Sequence, residues 1–176
     1  IFSEDELSKY GEYDIEEQSK IRALGAKNLH QSWISIPHVT HFEEIDLSSI
    51  MSKRKTVDAS VLSYVIEGIC KALREFPIFN SSFLANNKIM MKKYINIGVA
   101  VDTNMGLVVP VIQNADVLNI KDIDISVATL AEKARSKKLR NSDLEGSTFT
   151  VSSLGKLGGL SFTPIINPPE VGIIAV

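Results

Sequence analysis

Between Asp58 and Arg74 the apolar residues Leu62, Val65, Ile66, Ile69 and Leu73 recur at helical spacing, with Ser63, Glu67, Lys71 and Arg74 on the opposite side. The pattern predicts an amphipathic helix laid on a core and ended by Pro77, whose missing N–H and ring do not fit a helix interior. A second stripe, Ile123, Val127, Leu130, Ala131 and Ala134, predicts another helix. Asp122 or Asp124 is its expected cap, and Arg135, Lys137 and Lys138 sit near the C-terminal end, where cations suit the backbone dipole. A weaker stripe of Ile21, Leu24 and Leu29 with Ala23 and Ala26 predicts a first helix over residues 16–32, interrupted in quality by Gly25.

Other stretches follow the two-residue period of strands. Residues 38–46 alternate as a half-exposed strand would, and Asp46 or Ser48 can cap a short helix running to Arg54. Residues 94–102 and 107–112 are rich in β-branched side chains and flank Thr103-Asn104-Met105-Gly106, a hairpin turn. Strands over 148–152 and 171–176 complete the set. Helices interleaved with such strands predict an α/β chain, a two-layer sandwich with a mixed sheet.

Length and charge narrow the classes. The 176 residues, 44% hydrophobic and 23% charged, suit one globular core domain over 16–176 preceded by an acidic arm or linker end over 1–15. Residues 1–17 carry seven acids against Lys9 alone, net −6, which leaves +4 for the rest. A total of −2 makes no case for nucleic acid, and no apolar run reaches the roughly 18 residues of a membrane span. Cys70 is the only cysteine and is expected as a buried structural thiol. His30, His38 and His41 lack the cysteine or HExxH spacing of a metal site, so no metal is expected. Dinucleotide, P-loop and nucleophile-elbow motifs are missing as well. The start at Ile1, without methionine or leader, reads as a piece of something longer.

The densest chemistry lies in Gly146-Ser147-Thr148-Phe149-Thr150-Val151-Ser152-Ser153-Leu154-Gly155, followed by Gly158-Gly159 and by Pro164 to Val171. It reads as a β strand ending in paired hydroxyls, a glycine turn that lets backbone approach a ligand, and a proline-stiffened return. A strand-end hydroxyl can donate to an oxyanion. The same residues can also do no more than make a tight loop.

This stretch resembles the C-terminal core of the dihydrolipoyl acyltransferase component of 2-oxoacid dehydrogenase complexes. Further blocks resemble it in the same order: Asn28 to Trp33 with Ile36 to Thr40, Phe76 to Ser82, Lys92 to Thr103, and Gly106 to Val111. The block around Ile36 to Thr40 is most like the pyruvate dehydrogenase branch, which transfers acetyl. The resemblance implies a chloramphenicol acetyltransferase-like fold and transfer of an acetyl group between dihydrolipoyl-lysine and coenzyme A, both substrates. It further implies a homotrimer building a larger hollow core, with the dehydrogenase and dihydrolipoyl dehydrogenase components as partners. A bacterial cytoplasm is the expected location, with a mitochondrial matrix or other organelle as the alternative.

By the same resemblance Ser152 is the oxyanion donor, and Ser152, Ser153, Arg54, Ser60 and Asp102 are the coenzyme A contacts. Each has an ordinary rival: Lys53-Arg54-Lys55 as a solvated helix end, Ser60 as a helix cap, Asp102 as a turn residue. The stretch from Arg54 to Ser60 is shorter than the family pattern. The family's base is a histidine in a late His-x-x-x-Asp-Gly motif, which residues 1–176 do not contain. His38 is expected to pack or hydrogen bond instead, and a chain ending at Val176 is expected to be inactive. Two alternatives follow: a non-catalytic assembly scaffold, and a stand-alone coenzyme A-dependent acetyltransferase of a small molecule.

Overall fold

The structure is a computed structural model that describes residues 2–155 and 158–176. Its helices are α1 (Glu4–Leu7), α2 (Lys20–Ser35), α3 (Ser48–Lys53), α4 (Val61–Glu75) and α5 (Ile120–Arg135). Its strands are β1 (Ser81–Leu84), β2 (Lys88–Met91), β3 (Ile97–Val99), β4 (Val101–Thr103), β5 (Gly106–Val108), β6 (Val111–Ile112), β7 (Phe149–Ser152) and β8 (Ile173–Ala175).

The central sheet has the order β6-β3-β7-β8. β7 runs parallel to both β3 and β8, while β6 is antiparallel to β3, so the sheet is mixed as expected. Ile97 pairs with Phe149 and Val99 with Val151, and this face packs on Ile66, Ile69 and Leu73 of α4 and Ile123 and Leu130 of α5. Ile66, Ile97 and Ile123 are fully buried there. Each such side chain contributes roughly 1.5–3 kcal/mol of burial. The two strongest sequence stripes therefore became the helical layer over the sheet.

The long β-branched runs each break in two. Residues 94–102 divide at Ala100 into β3 and β4, and 107–112 divide at Val109-Pro110 into β5 and β6. Pro110 has no N–H for a ladder, but its carbonyl accepts from the Val99 amide at 2.8 Å, which holds the break in place. β4 and β5 form the expected hairpin, with Thr103 opposite Gly106. Ser19 fastens α2 to it, donating its hydroxyl to the Met105 carbonyl at 2.7 Å.

Several expectations need correction. α2 starts at Lys20 because the Ser19 hydroxyl accepts from the Arg22 amide and caps it there. Residues 38–46 form no strand: the alternation is present, but no described strand lies alongside to complete a ladder. Val39, Phe42 and Ile45 consequently stand exposed. Asn119, not Asp122 or Asp124, caps α5, accepting from the Lys121 and Asp122 amides. Ser63 is fully buried instead of on the polar side of α4. The β1–β2 hairpin was not anticipated at all.

Candidate active site

β3, β7 and β8 are parallel, so their carboxyl ends meet at one edge of the sheet, where open α/β sheets present their ligand sites. Ser152 is the last residue of β7 and pairs with Ala175. Its carbonyl accepts from the Val176 amide at 2.9 Å, and the preceding Val151 carbonyl accepts from Ala100 at 2.9 Å. The backbone beneath Ser152 is thus held from both neighbouring strands. Among the described residues its half-buried hydroxyl makes no hydrogen bond.

Ser153 follows, exposed, with its hydroxyl accepting from the Gly155 amide at 3.3 Å. Gly155 takes φ +54, a left-handed conformation that glycine adopts without the penalty of a Cβ. Asp102 lies on β4, just past the carboxyl end of β3, exposed and opposite Leu107. Ser152, Ser153 and Asp102 thus share one end of the sheet.

Arg54 and Ser60 form a second group at the start of α4. The Arg54 Nε donates to the Ala59 carbonyl at 2.8 Å, which folds the guanidinium back over the loop before the helix. Ser60 is the N-cap of α4, its hydroxyl 3.2 Å from the Ser63 amide and 2.6 Å from the Ser63 hydroxyl. The capping role is thus the one the structure gives it.

Sequence reasoning missed the residue that ties this group together. Asp124 reaches across from α5, its Oδ1 accepting from the Ser60 amide at 2.8 Å and the Ser63 hydroxyl at 2.7 Å. Burial works to raise this carboxyl, but the bonds from Ser63 and Ser60, with the Arg54 charge behind them, outweigh it and hold the group below the usual aspartate range. No hydrogen bond joins the Arg54 group to the Ser152 group among the described residues.

Glu170 was also missed. It is buried beside β7 and accepts from the Thr150 hydroxyl at 2.9 Å, leaving its second oxygen without a hydrogen-bond partner among the described residues. Burial pushes its carboxyl up, against the pull of the Ser147 and Thr150 hydroxyls and the Lys92 charge. Lys92 is itself buried and pushed down by that burial. Cys70 is buried as expected, its thiol pushed up to about 12, first by burial and then by the Asp116 charge, which leaves it a poor nucleophile. His38 packs on Trp33 with ring centroids 5.6 Å apart and is hydrogen bonded through both nitrogens. Among the described residues no group of three or more His, Cys, Asp or Glu side chains is arranged to hold a metal, and no helix is long and apolar enough to cross a membrane.

A family model for the 2-oxoacid dehydrogenases acyltransferase (catalytic domain) matches residues 10–176. The chain belongs to this acyltransferase family. It is 41% identical to the dihydrolipoyllysine-residue acetyltransferase component of the pyruvate dehydrogenase complex of Azotobacter vinelandii, over 97% of this chain and 28% of that protein. The counterpart from Buchnera aphidicola subsp. Acyrthosiphon pisum is 40% identical over 99% of this chain and 47% of its own length. The chain therefore spans between about a quarter and a half of these curated relatives.

Solved structures agree. The Azotobacter vinelandii dihydrolipoamide acetyltransferase, whose catalytic mechanism has been probed at a serine, a histidine and an asparagine, superposes with a TM-score of 0.90 at 42% identity. A cubic core of the pyruvate dehydrogenase multienzyme complex gives 0.92 at 42% identity. Each match covers 96% of this chain and 73% of the other. The fold is thus the chloramphenicol acetyltransferase-like acyltransferase fold expected from the sequence.

Proposed function

We propose that the chain is the acetyl-transferring core of a pyruvate dehydrogenase complex, exchanging an acetyl group between dihydrolipoyl-lysine and coenzyme A. The observation that carries the reading is the place of Ser152, the last residue of β7, at the carboxyl end of a strand held on both sides, in a family of acyltransferases. Family membership alone would give the fold. A hydroxyl in that position supplies a chemical role.

The reaction exchanges one thioester for another. A thiol attacks the thioester carbonyl as its proton leaves, a tetrahedral oxyanion forms, and collapse expels the second sulfur, which takes up a proton. No oxidant or metal is needed for the balance. Ser152 donates its hydroxyl to the oxyanion, an interaction strongest when the charge is fully developed. Ser153, Asp102 and Ser60 are taken as further coenzyme A contacts, with Arg54 toward the nucleotide phosphates, where a guanidinium suits phosphate geometry. The thiol proton is assigned to the family's histidine motif, because His38 has no free nitrogen.

The same reading makes the chain a self-associating unit of a multienzyme core that meets the dehydrogenase and dihydrolipoyl dehydrogenase components. What supports it is exposed apolar surface: Leu24, Trp33 and Ile34 on α2, Val39 and Phe42 beyond it, and Phe83 on β1. Large apolar side chains at such positions are ones that a partner surface can cover.

The test is acetyl transfer from acetyl-coenzyme A to dihydrolipoamide by the full polypeptide carrying these residues, compared with Ser152→Ala. The expected result is a kcat lower by about 10²-fold or more in the variant, with assembly unchanged. Turnover at the parental rate would remove Ser152 from the mechanism. Assembly without transfer in the parent would support the scaffold alternative, and a small amine or alcohol as the better acceptor would support the stand-alone enzyme.

A further inference from the structure

We infer that Asp124 sets the anion selectivity of the Arg54–Ser60 end of the site, weakening the hold of this chain on the phosphates of its coenzyme. The inference rests on the coenzyme reading of Arg54 and Ser60 above. It concerns how tightly that end of the ligand is gripped.

The geometry is a capture of one helix by another. Asp124 sits in the first turns of α5, yet its Oδ1 takes the Ser60 amide of the α4 N-cap and the hydroxyl of the fully buried Ser63. A helix start leaves several amides without internal partners and favours an anion nearby. Here the anion is already supplied by the protein. The Ser60 and Ser63 hydroxyls are also turned inward on each other at 2.6 Å, and Arg54 spends its Nε on the Ala59 carbonyl. Each polar group that a phosphate would seek is thus partly engaged.

Charge follows from this placement. The Arg54 charge is near enough to help hold Asp124 below the usual aspartate range, so the carboxylate in turn offsets part of the positive potential of the arginine. Lys53 and Lys55 beside it, and Asp58, Lys121 and Asp122 around it, are exposed and screened by solvent and salt. Asp124 is only partly exposed and is screened less. A phosphate approaching Arg54 therefore meets repulsion from Asp124 that the surface lysines do not cancel.

Asp124→Asn isolates the charge, because the amide keeps an oxygen for the Ser60 and Ser63 donors. Asp124→Ala removes the bonds too, and its melting temperature relative to Asp124→Asn reports their structural share. The experiment measures equilibrium binding of coenzyme A, 3′-dephospho-coenzyme A and inorganic pyrophosphate to the full polypeptide and to Asp124→Asn, at low and high salt. The expected result is about three- to tenfold tighter binding of coenzyme A and pyrophosphate by Asp124→Asn at low salt, a smaller gain for the dephospho form, and a gain that shrinks with salt. Equal or weaker binding of pyrophosphate by the variant overturns the inference, and so does equal affinity for coenzyme A where both proteins bind it. A gain for pyrophosphate with no binding of coenzyme A by either protein upholds the role of Asp124 and removes the coenzyme reading instead.

Discussion

Thr150 donates its hydroxyl to the buried Glu170 at 2.9 Å, and it does so two residues before Ser152 on the same face of β7. Alternate residues of a strand share a face and lie roughly 7 Å apart, so a buried carboxyl sits on the same face of β7 as the candidate oxyanion donor. Around Glu170 stand Ser147, Thr150 and Asn167 with the buried cation Lys92. Burial outweighs them all and keeps the proton on Glu170 to higher pH than in the unfolded chain.

The sign of the pH effect follows. A carboxyl whose folded value lies above its ordinary 4.5 binds its proton more tightly in the native state, so its contribution to stability is complete below 4.5 and is lost as pH rises through the folded value. Glu170→Gln cannot ionise and should remove that loss. Unfolding free energies measured for both proteins from acid to neutral pH should diverge above 4.5, with the variant gaining on the parent. Parallel curves would mean that Glu170 does not titrate in that range.

Gly98 marks how tightly this face is packed. A Cβ built there would lie 2.8 Å from both the Ser147 and Thr150 hydroxyl oxygens and 2.9 Å from a Val109 methyl. Such contacts force a shift, and overpacking of this kind costs about 1–3 kcal/mol. Gly98→Ala should lower the denaturant midpoint accordingly, without changing the dependence of free energy on denaturant. A midpoint equal to the parent's would mean that the strands are looser than these distances.

Much of the fold is legible in the sequence where burial is one-sided. The stripes of α4 and α5 are readable because the sheet covers one face only of each helix, and the β4–β5 turn because Gly106 marks its position. The β1–β2 hairpin is not, because both faces of β2 are exposed and leave no alternation to detect. Its turn uses Asn86 and Asn87 at φ 60 and 56, a left-handed pair that asparagine tolerates but signals less clearly than Asn-Gly. At the site, the place of Ser152 at a strand end before a glycine turn is legible, while its role comes only from the resemblance. The bond from Asp124 to Ser60 joins two helices 64 residues apart, and Glu170 meets Thr150 across 20, so neither has a local pattern to reveal it.

His38 supplies the last prediction, since it is the histidine most easily mistaken for a base. Its Nδ1 is 2.8 Å from the Ile36 carbonyl, which can only accept, and its Nε2 is 2.9 Å from the Ile166 amide, which can only donate. These partners suit the tautomer with its proton on Nδ1, and the Nε2 lone pair that a thiol would need is already used. His38→Ala strands the Ile166 amide and the Ile36 carbonyl, which should lower stability by about 1–3 kcal/mol. Acetyl transfer at saturating substrate, measured below the melting transition, should stay close to the parental kcat. A loss of 10²-fold or more with melting unchanged would identify a base instead, because general-base removal typically costs that much while a structural histidine reveals itself first in the melt.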